Sequence, residues 1–457
     1  SGLIASNSDR HEHFGDSSYL LEPNLKEGQG GLRDYHTMLW IGRITANIIH
    51  PRDLEYNGHL SHEEYKGLKA ALAFIWNVRN HLHALTQRKS DQLYLEHQEK
   101  IAVALKFKDG RGQMAVERFL GKLHEHLEYI KHTNLVFLLE AGPVRKNKFR
   151  RPAAVKQGIT KGLTVNNNML NFTSPEQVLA APTLLIKIFE ESARLQLPIS
   201  SEARRIIKDF LHLLDSRFRC DSANVKTFER ILVTPADTFN VLNEMLKTGV
   251  LIKLIPKIKS IVNRIQYDGY HLYPVDRHSL KTVKIIKNFS APKSSEPIYA
   301  DLYKHLGQQK KLLLWAALLH DIGKGEAGPG HTDRGAKIAT KILIDFGYDP
   351  ISVETVSFLV ENHLFLIKIA TRRDLSDEET ALYCARQVKD VKRLKMLYLL
   401  TVADSMATGP KAWNDWTAEL LRDLFFKTLK IIETRELASP KAMATVIAKK
   451  QMILDSA

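Results

Sequence analysis

The run Leu312-Leu313-Leu314-Trp315-Ala316-Ala317-Leu318-Leu319 has no polar face. A helix that is apolar all round is buried on every side. A chain containing one must build a core deep enough to enclose it. With 457 residues the chain has that capacity, and its length gives a prior of about three domains. His320 and Asp321 follow the run directly. Unpaired burial of ionisable groups is costly, so both need partners. Metal coordination would satisfy the two together. A hydrogen-bonded pair at a helix C-terminus is the alternative.

The surrounding sequence predicts helices almost throughout. Leu68, Ala71, Leu72, Ile75 and Val78 fall at helical spacing, as do Phe119, Leu123, Leu127 and Ile130. The stretch Leu135 to Glu140 should stop at Gly142-Pro143. Helices resume at Ser174-Pro175-Glu176, where Ser can cap and Pro can occupy the first helical position. Pro182, Pro198, Pro235 and Pro256 divide the next region into short helices. A small β remnant is expected only near the start, at Tyr19-Leu20-Leu21. The predicted class is all-α.

Composition narrows the function classes. Hydrophobic residues make up 44% and charged residues 26%, an ordinary globular balance. No apolar run is long enough to span a bilayer. The two cysteines, Cys220 and Cys384, give no disulfide framework, which suits a cytoplasmic protein. The net charge of +15 raises the question of an anionic partner. Part of it is concentrated between Gly142 and Gly162, where Arg145, Lys146, Lys148, Arg150, Arg151, Lys156 and Lys161 occur without an acid. Such a run reads as a solvated linker, and nucleic-acid binding is not expected.

Other ionisable residues strengthen the metal reading of His320 and Asp321. Asp404 follows Leu397 by seven residues and Leu400 by four, so it shares their apolar helix face. His363 follows Val356, Leu359 and Val360 by seven, four and three. Alone, it would read as a satisfied core histidine. His278 lies just after Pro274, and His331 follows Gly328-Pro329-Gly330. Four imidazoles and two carboxylates could converge on a mixed nitrogen and oxygen site. Its carboxylate content favours Mg or Mn, with Fe or Zn also accommodated.

In this order, His278, His320-Asp321, His331, His363 and Asp404 resemble the ligands of HD-domain metal-dependent phosphohydrolases. The run His320-Asp321-Ile322-Gly323-Lys324 carries the likeness most strongly. The resemblance implies one ion held by His278, His320, Asp321 and Asp404. Asp321 would bridge to a second ion held with His331 and His363, so one or two ions are expected per chain. Bound divalent ions of this kind activate water and hold phosphoryl oxygens. Lys324 would stabilise charge developing on the phosphate, or else be a solvated loop lysine.

A second motif is Leu21-Glu22-Pro23-Asn24-Leu25-Lys26-Glu27-Gly28-Gln29-Gly30-Gly31-Leu32-Arg33-Asp34. This Gly-rich turn feeds a helix start, and Lys26, Gly30, Gly31 and Arg33 form a candidate phosphate-binding set. The alternative is a tight turn whose Arg33 and Asp34 pair with neighbours. This stretch is similar to the bifunctional uridylyltransferase/uridylyl-removing enzymes of bacterial nitrogen control. So are Gln266 to Leu280 and Thr401 to Thr408. The resemblance implies an HD domain that removes uridylyl groups from a tyrosine of the signalling protein PII, releasing uridine monophosphate.

The nucleotidyltransferase chemistry of that family needs a Gly-Ser turn and an Asp-x-Asp pair. The sequence contains no Asp-x-Asp; Asp53-Leu54-Glu55 is nearest, and His50-Pro51 precedes it. No pattern of ACT repeats precedes Ala457. The expected molecule is thus a central segment or a shortened relative without transferase activity. Its expected parts are a helical domain over 1–141, a basic linker over 142–165 and a helical connector over 166–270. An HD phosphohydrolase domain follows over 271–435, then a tail over 436–457. The expected activity is removal of the uridylyl group from PII. An HD phosphohydrolase acting on free or cyclic nucleotides and a non-catalytic regulatory scaffold are the alternatives.

Overall fold

The computed structural model describes residues 7, 9–11, 21–110, 112–141, 158–235, 241–267, 273–290 and 296–434. Tyr19 and Leu20, all but Lys161 of the basic run, Asp268 to Leu272 and the 436–457 tail lie outside the described residues. The fold is mainly α-helical, as the sequence predicts. The chain divides into two compact units. One comprises residues up to Ala153 with Ile261–Arg277 and Glu326–Gly328; the other comprises Ala154–Ser260, His278–Gly325 and Pro329 onward.

The first unit contains α1 (Leu32–Thr45), the short α2 (Asp53–Tyr56), α3 (His62–Thr86), α4 (Leu95–Ala104) and α5 (Ala115–Ala141). Two long helices, α3 and α5, pack together, and α1 and α4 pack on α5. Leu68, Ala71, Ile75, Val78 and Leu82 of α3 are buried against Phe119, Leu123, Leu127 and Ile130 of the same core. Their spacing of three and four residues keeps one face of each helix inward. Helix α3 starts at a capping box: the Glu64 amide donates to Ser61 Oγ and the Ser61 amide to Glu64 Oε2.

The second unit opens with an antiparallel hairpin, β1 (Leu163–Asn166) and β2 (Met169–Phe172), in the register Leu163 to Phe172. Asn167 and Asn168 both have positive φ, which is the requirement of a two-residue hairpin turn. The short helices α6 (Pro175–Ala180), α7 (Leu184–Leu195), α8 (Ser201–Asp209), α9 (Ser216–Cys220), α10 (Ser222–Val233), α11 (Val241–Lys247) and α12 (Val250–Leu254) follow. Each of the four prolines falls between these helices or, for Pro256, at the start of the 3-10 turn Pro256–Ser260. Pro175 stands at the first position of α6, but Ser174 makes no capping bond to the backbone. Its hydroxyl is engaged by the Glu176 carboxylate instead.

Next come α13 (Val275–Asn288), which belongs to this unit from His278 onward, α14 (Pro297–His305), α15 (Lys310–Leu319), α16 (His331–Asp345) and α17 (Pro350–Glu361). The last four are α18 (Phe365–Arg372), α19 (Glu378–Val388), α20 (Val391–Thr408) and α21 (Asp415–Glu433). Helix α15 is the centre of this unit. Every residue from Leu312 to Leu319 is buried, and α10, α17 and α20 pack around it. Lys287 of α13 is also buried, and its Nζ donates to the Ile231 carbonyl at the end of α10.

Two predictions follow from this packing. Gly30 and Gly58 share a left-handed φ near 75°, but an ideal Cβ on Gly30 would lie 1.9 Å from the Leu127 carbonyl oxygen, whereas Gly58 meets nothing within 4 Å. Gly58→Ala should cost about 1–2 kcal/mol from the backbone conformation. Gly30→Ala should cost at least about 2 kcal/mol more, since helix backbone must move; urea midpoints measure the difference. Burial pulls the Lys287 ammonium down to about 7. Between that value and the ordinary lysine range the unfolded chain holds a proton that the folded chain lacks, so stability should rise with pH there. Lys287→Met should flatten this rise in unfolding free energy between about pH 7 and 10.

Candidate metal centre

The six residues named as candidate metal ligands meet at one place, all within the second unit. His278 comes from the first turns of α13, and Asp404 from the inward face of α20 beside buried Leu397 and Leu400. His320 and Asp321 follow the last residue of α15, and His363 lies two residues past the end of α17. His331 is the first residue of α16. The 3-10 turn Ile322–Gly325 brings α16 back to Asp321. That approach needs Gly323, because a Cβ there would fall 2.0 Å from the His331 carbonyl oxygen.

Asp321 is the shared member. Its Oδ2 lies 3.4 Å from His320 Nε2 and 3.8 Å from His278 Nε2. Its Oδ1 lies 3.6 Å from the Nε2 of both His331 and His363. Two groups result, His278 with His320 and Asp321, and Asp321 with His331 and His363; within each, the ligand atoms lie within 4.8 Å of one another. Asp404 Oδ1 joins the first group, 2.8 Å from His278 Nε2 and 3.6 Å from His320 Nε2. His331 is half-buried and the other five are buried.

The histidines are oriented by helix ends. The last carbonyls of an α-helix lack amide partners. His320 Nδ1–H donates to the Ala317 carbonyl at 2.9 Å, and His363 Nδ1–H to the Val360 carbonyl at 2.7 Å. A carbonyl only accepts, so each ring carries its proton on Nδ1 and presents Nε2 to the site. These backbone anchors were not read from the sequence. Their signal was available: each histidine stands three residues after its carbonyl, just beyond a helix end.

The charges suit a cation. Burial opposes ionisation of Asp321, but Lys324, His320 and His363 outweigh it and hold the carboxyl well below its ordinary range. Burial likewise opposes ionisation of Asp404, and His320 and His278 prevail there. Burial pushes His278, His331 and His363 down, His363 to about 4. Burial also works against a charged His320, yet Asp321 and Asp404 push it up. Two ionised carboxylates and mostly neutral imidazoles are the forms that ligate metal, with His320 keeping a proton that a cation would replace. Asp321 Oδ1 and His331 Nε2 are buried with no hydrogen-bond partner. These orphaned atoms and the donor set fit divalent ions. Lys324 Nζ donates to Asp321 Oδ2 at 2.8 Å, so it lies in the site rather than free in a loop.

The Gly-rich turn lies in the other unit. There Arg33 Nη2 pairs with Glu27 at 3.0 Å and Lys26 with the same carboxylate at 3.4 Å. Buried Asp34 accepts from the Gly30 amide at 2.7 Å, pairs with His11 at 2.8 Å and is also contacted by Arg10. Gly30 and Gly31 serve close backbone approach, Gly31 to the Lys26 and Gly28 carbonyls. The geometry is that of a turn whose cations already have a carboxylate partner.

Family models match three stretches. Residues 2–138 match the model described as GlnD PII-uridylyltransferase, 163–254 that of the uridylyltransferase GlnD third domain, and 275–406 the HD domain. The HD match encloses all six clustered residues. The bifunctional uridylyltransferase/uridylyl-removing enzyme of Novosphingobium aromaticivorans is 31% identical over 98% of this chain and 50% of its own length. That of Cereibacter sphaeroides is 33% identical over 94% of this chain and 47% of its own, and that of Azospirillum brasilense 34% over 94% and 46%. The chain spans about half the length of the curated relatives it matches. With three matched stretches in order and relatives aligned along nearly all its length, the chain belongs to the bifunctional uridylyltransferase/uridylyl-removing enzyme family.

Proposed function

We propose that this chain is a metal-dependent phosphodiester hydrolase that releases uridine monophosphate from a uridylylated tyrosine of a PII-type signalling protein. The observation that carries the reading is the pair of His/Asp groups sharing Asp321. The names of the relatives supply the uridylyl group, and the description of the family model matched by residues 2–138 supplies PII. His278, His320, Asp321 and Asp404 would hold one divalent ion, and Asp321, His331 and His363 a second. Mg or Mn suits the carboxylates best, with Fe or Zn also accommodated. When bound, such ions supply a water acidic enough to attack phosphorus near neutral pH and neutralise phosphoryl charge. The phosphorus–oxygen bond to tyrosine breaks, the water oxygen joins phosphorus, and a proton ends on the phenol.

The chain's own groups prepare this reaction. The Ala317 and Val360 carbonyls fix His320 and His363 with Nε2 inward. Burial removes competing water from the carboxylates. Lys324 neutralises Asp321 and is placed to meet charge developing on the phosphoryl oxygens. No helix among the described residues is long and apolar enough to cross a membrane. The two cysteines are free, which agrees with a reaction in the cytoplasm.

Asp321→Asn and His320→Ala should each lower uridine monophosphate release from uridylylated PII by more than about a hundredfold and reduce the bound divalent ion measured by elemental analysis. Unchanged release, or hydrolysis confined to free or cyclic nucleotides, would overturn the assignment. Lys324→Ala should lower kcat by about a hundredfold while metal content stays near that of the parent protein. Loss of the ion in that variant would instead make Lys324 a support of the site.

A further inference from the structure

We infer that Arg334 is a positioning residue for Lys324, tying the loop on which that lysine stands to the first turn of α16. The inference rests on the phosphodiesterase reading above. Four of the eight residues from Gly323 to Gly330 are glycine, and Gly328 and Gly330 stand at φ of 93° and 78°. Glycine gives up more backbone freedom on ordering than any other residue, so such a segment does not hold one shape by itself. Lys324 lies near its start, and Arg334 joins its two ends. The Arg334 Nε–H donates to the Gly323 carbonyl at 3.3 Å, and Nη1 donates to the Pro329 carbonyl. All three residues belong to the second unit. The planar guanidinium fixes the angle between its donors, so it sets the two carbonyls relative to each other. Its base is firm: Gly335 and Ala336, next to it on α16, are buried, and α16 packs against the turn Ile322–Gly325.

Lys324 needs this second support. Its ammonium is held by Asp321 Oδ2 at 2.8 Å, but four imidazoles surround the same carboxylate, and a bound ion would draw on it as well. The tip of the side chain thus rests on a shared partner, and the backbone decides where the ammonium stands. The Gly323 carbonyl and the Lys324 amide belong to one planar peptide group. That amide donates to the Asp321 carbonyl at 3.0 Å, while the carbonyl accepts from Arg334. Both polar atoms of the peptide leading into Lys324 are therefore bonded, which fixes the plane from which its side chain departs. A charge that meets developing charge acts best when it is already in place. Misplacement by about 1 Å is enough to cost up to about a hundredfold in rate. Arg334 acts on the reaction through Lys324 and not by touching substrate.

The test is a double-mutant cycle on uridine monophosphate release from uridylylated PII in the presence of Mn. Arg334→Gln should lower kcat about tenfold and leave KM within about twofold, because the interaction lost is one made in the transition state. Bound ion, measured by elemental analysis, should stay near the parent value. In a Lys324→Ala background the same substitution should lower kcat by less than about twofold. A loss of about tenfold in that background too overturns the inference, since Arg334 would then act on substrate or ion directly. So does an unchanged kcat in Arg334→Gln, or loss of the ion. Arg334→Lys keeps the charge but replaces two donor nitrogens by one, and should restore only part of the rate. Full restoration overturns the tie. Hydrogen exchange reads the loop without turnover. Amides over 322–330 should exchange faster in Arg334→Gln while those of α15 and α17 keep the parent rate, and unchanged exchange over 322–330 overturns the tie. If the parent protein releases no uridine monophosphate, the phosphodiesterase reading fails, while hydrogen exchange still decides the tie.

Discussion

The carboxylate of Asp321 is the constraint on which the second unit depends. It is a buried negative charge, and burial of such a charge without compensation is costly. One side chain cannot offset that cost. Lys324 supplies one positive group at 2.8 Å, and four imidazoles lie within 3.8 Å of its two oxygens. Those imidazoles come from α13, α16 and the chain beyond α15 and α17. Helices far apart in sequence are therefore tied to one pair of oxygen atoms. Even so, Oδ1 has no hydrogen bond. The protein alone leaves it unsatisfied, while a shared cation would satisfy it and the facing His331 Nε2 together.

How the ligands are held follows from helix geometry. Helix ends expose carbonyls with no partner, usually a liability in a buried region. At α15 and α17 a histidine just beyond the end uses one such carbonyl as its anchor. The same bond satisfies the backbone and sets the imidazole tautomer. The apolar run Leu312–Leu319 of α15 makes the anchor at Ala317 rigid, because every residue of the run is buried. A buried hydrocarbon run and a polar site at its end are thus parts of one device. The run fixes the axis, and the first residues past it carry the chemistry.

Much of this was legible in the sequence because periodicity reports burial. The spacing of Leu397, Leu400 and Asp404 placed a carboxylate inward, and Val356, Leu359 and Val360 did the same for His363; both are buried. What escaped was local backbone chemistry. The hairpin at Leu163–Phe172 is only four residues per strand, too short for alternation to stand out. Its clearer sign was Asn167-Asn168, which tolerates positive φ at two adjacent positions. Ser174 has the residue type and position of a cap but spends its hydroxyl on Glu176. Lys26 and Arg33 have the composition of an anion site, yet Glu27 lies between them in sequence and pairs with both. For Ser174, Lys26 and Arg33 a nearby carboxylate, invisible to a residue-type argument, engages the side chain.

The same distinction governs the excess positive charge. A net charge states how many cations there are, not which are already committed. Arg33, Lys324 and Arg204 lie against Glu27, Asp321 and Glu244, so their charge is largely cancelled where it stands. Sequence separation does not prevent such pairing, since Arg204 and Glu244 lie 40 residues apart. The run from Met245 to Tyr267 has no acid of its own, and buried Ile258 lies in the turn Pro256–Ser260, which packs against the turn that carries Lys324. A site built on two ionised carboxylates would by itself repel an anionic diester, and the divalent ions that its ligands fit would reverse that sign.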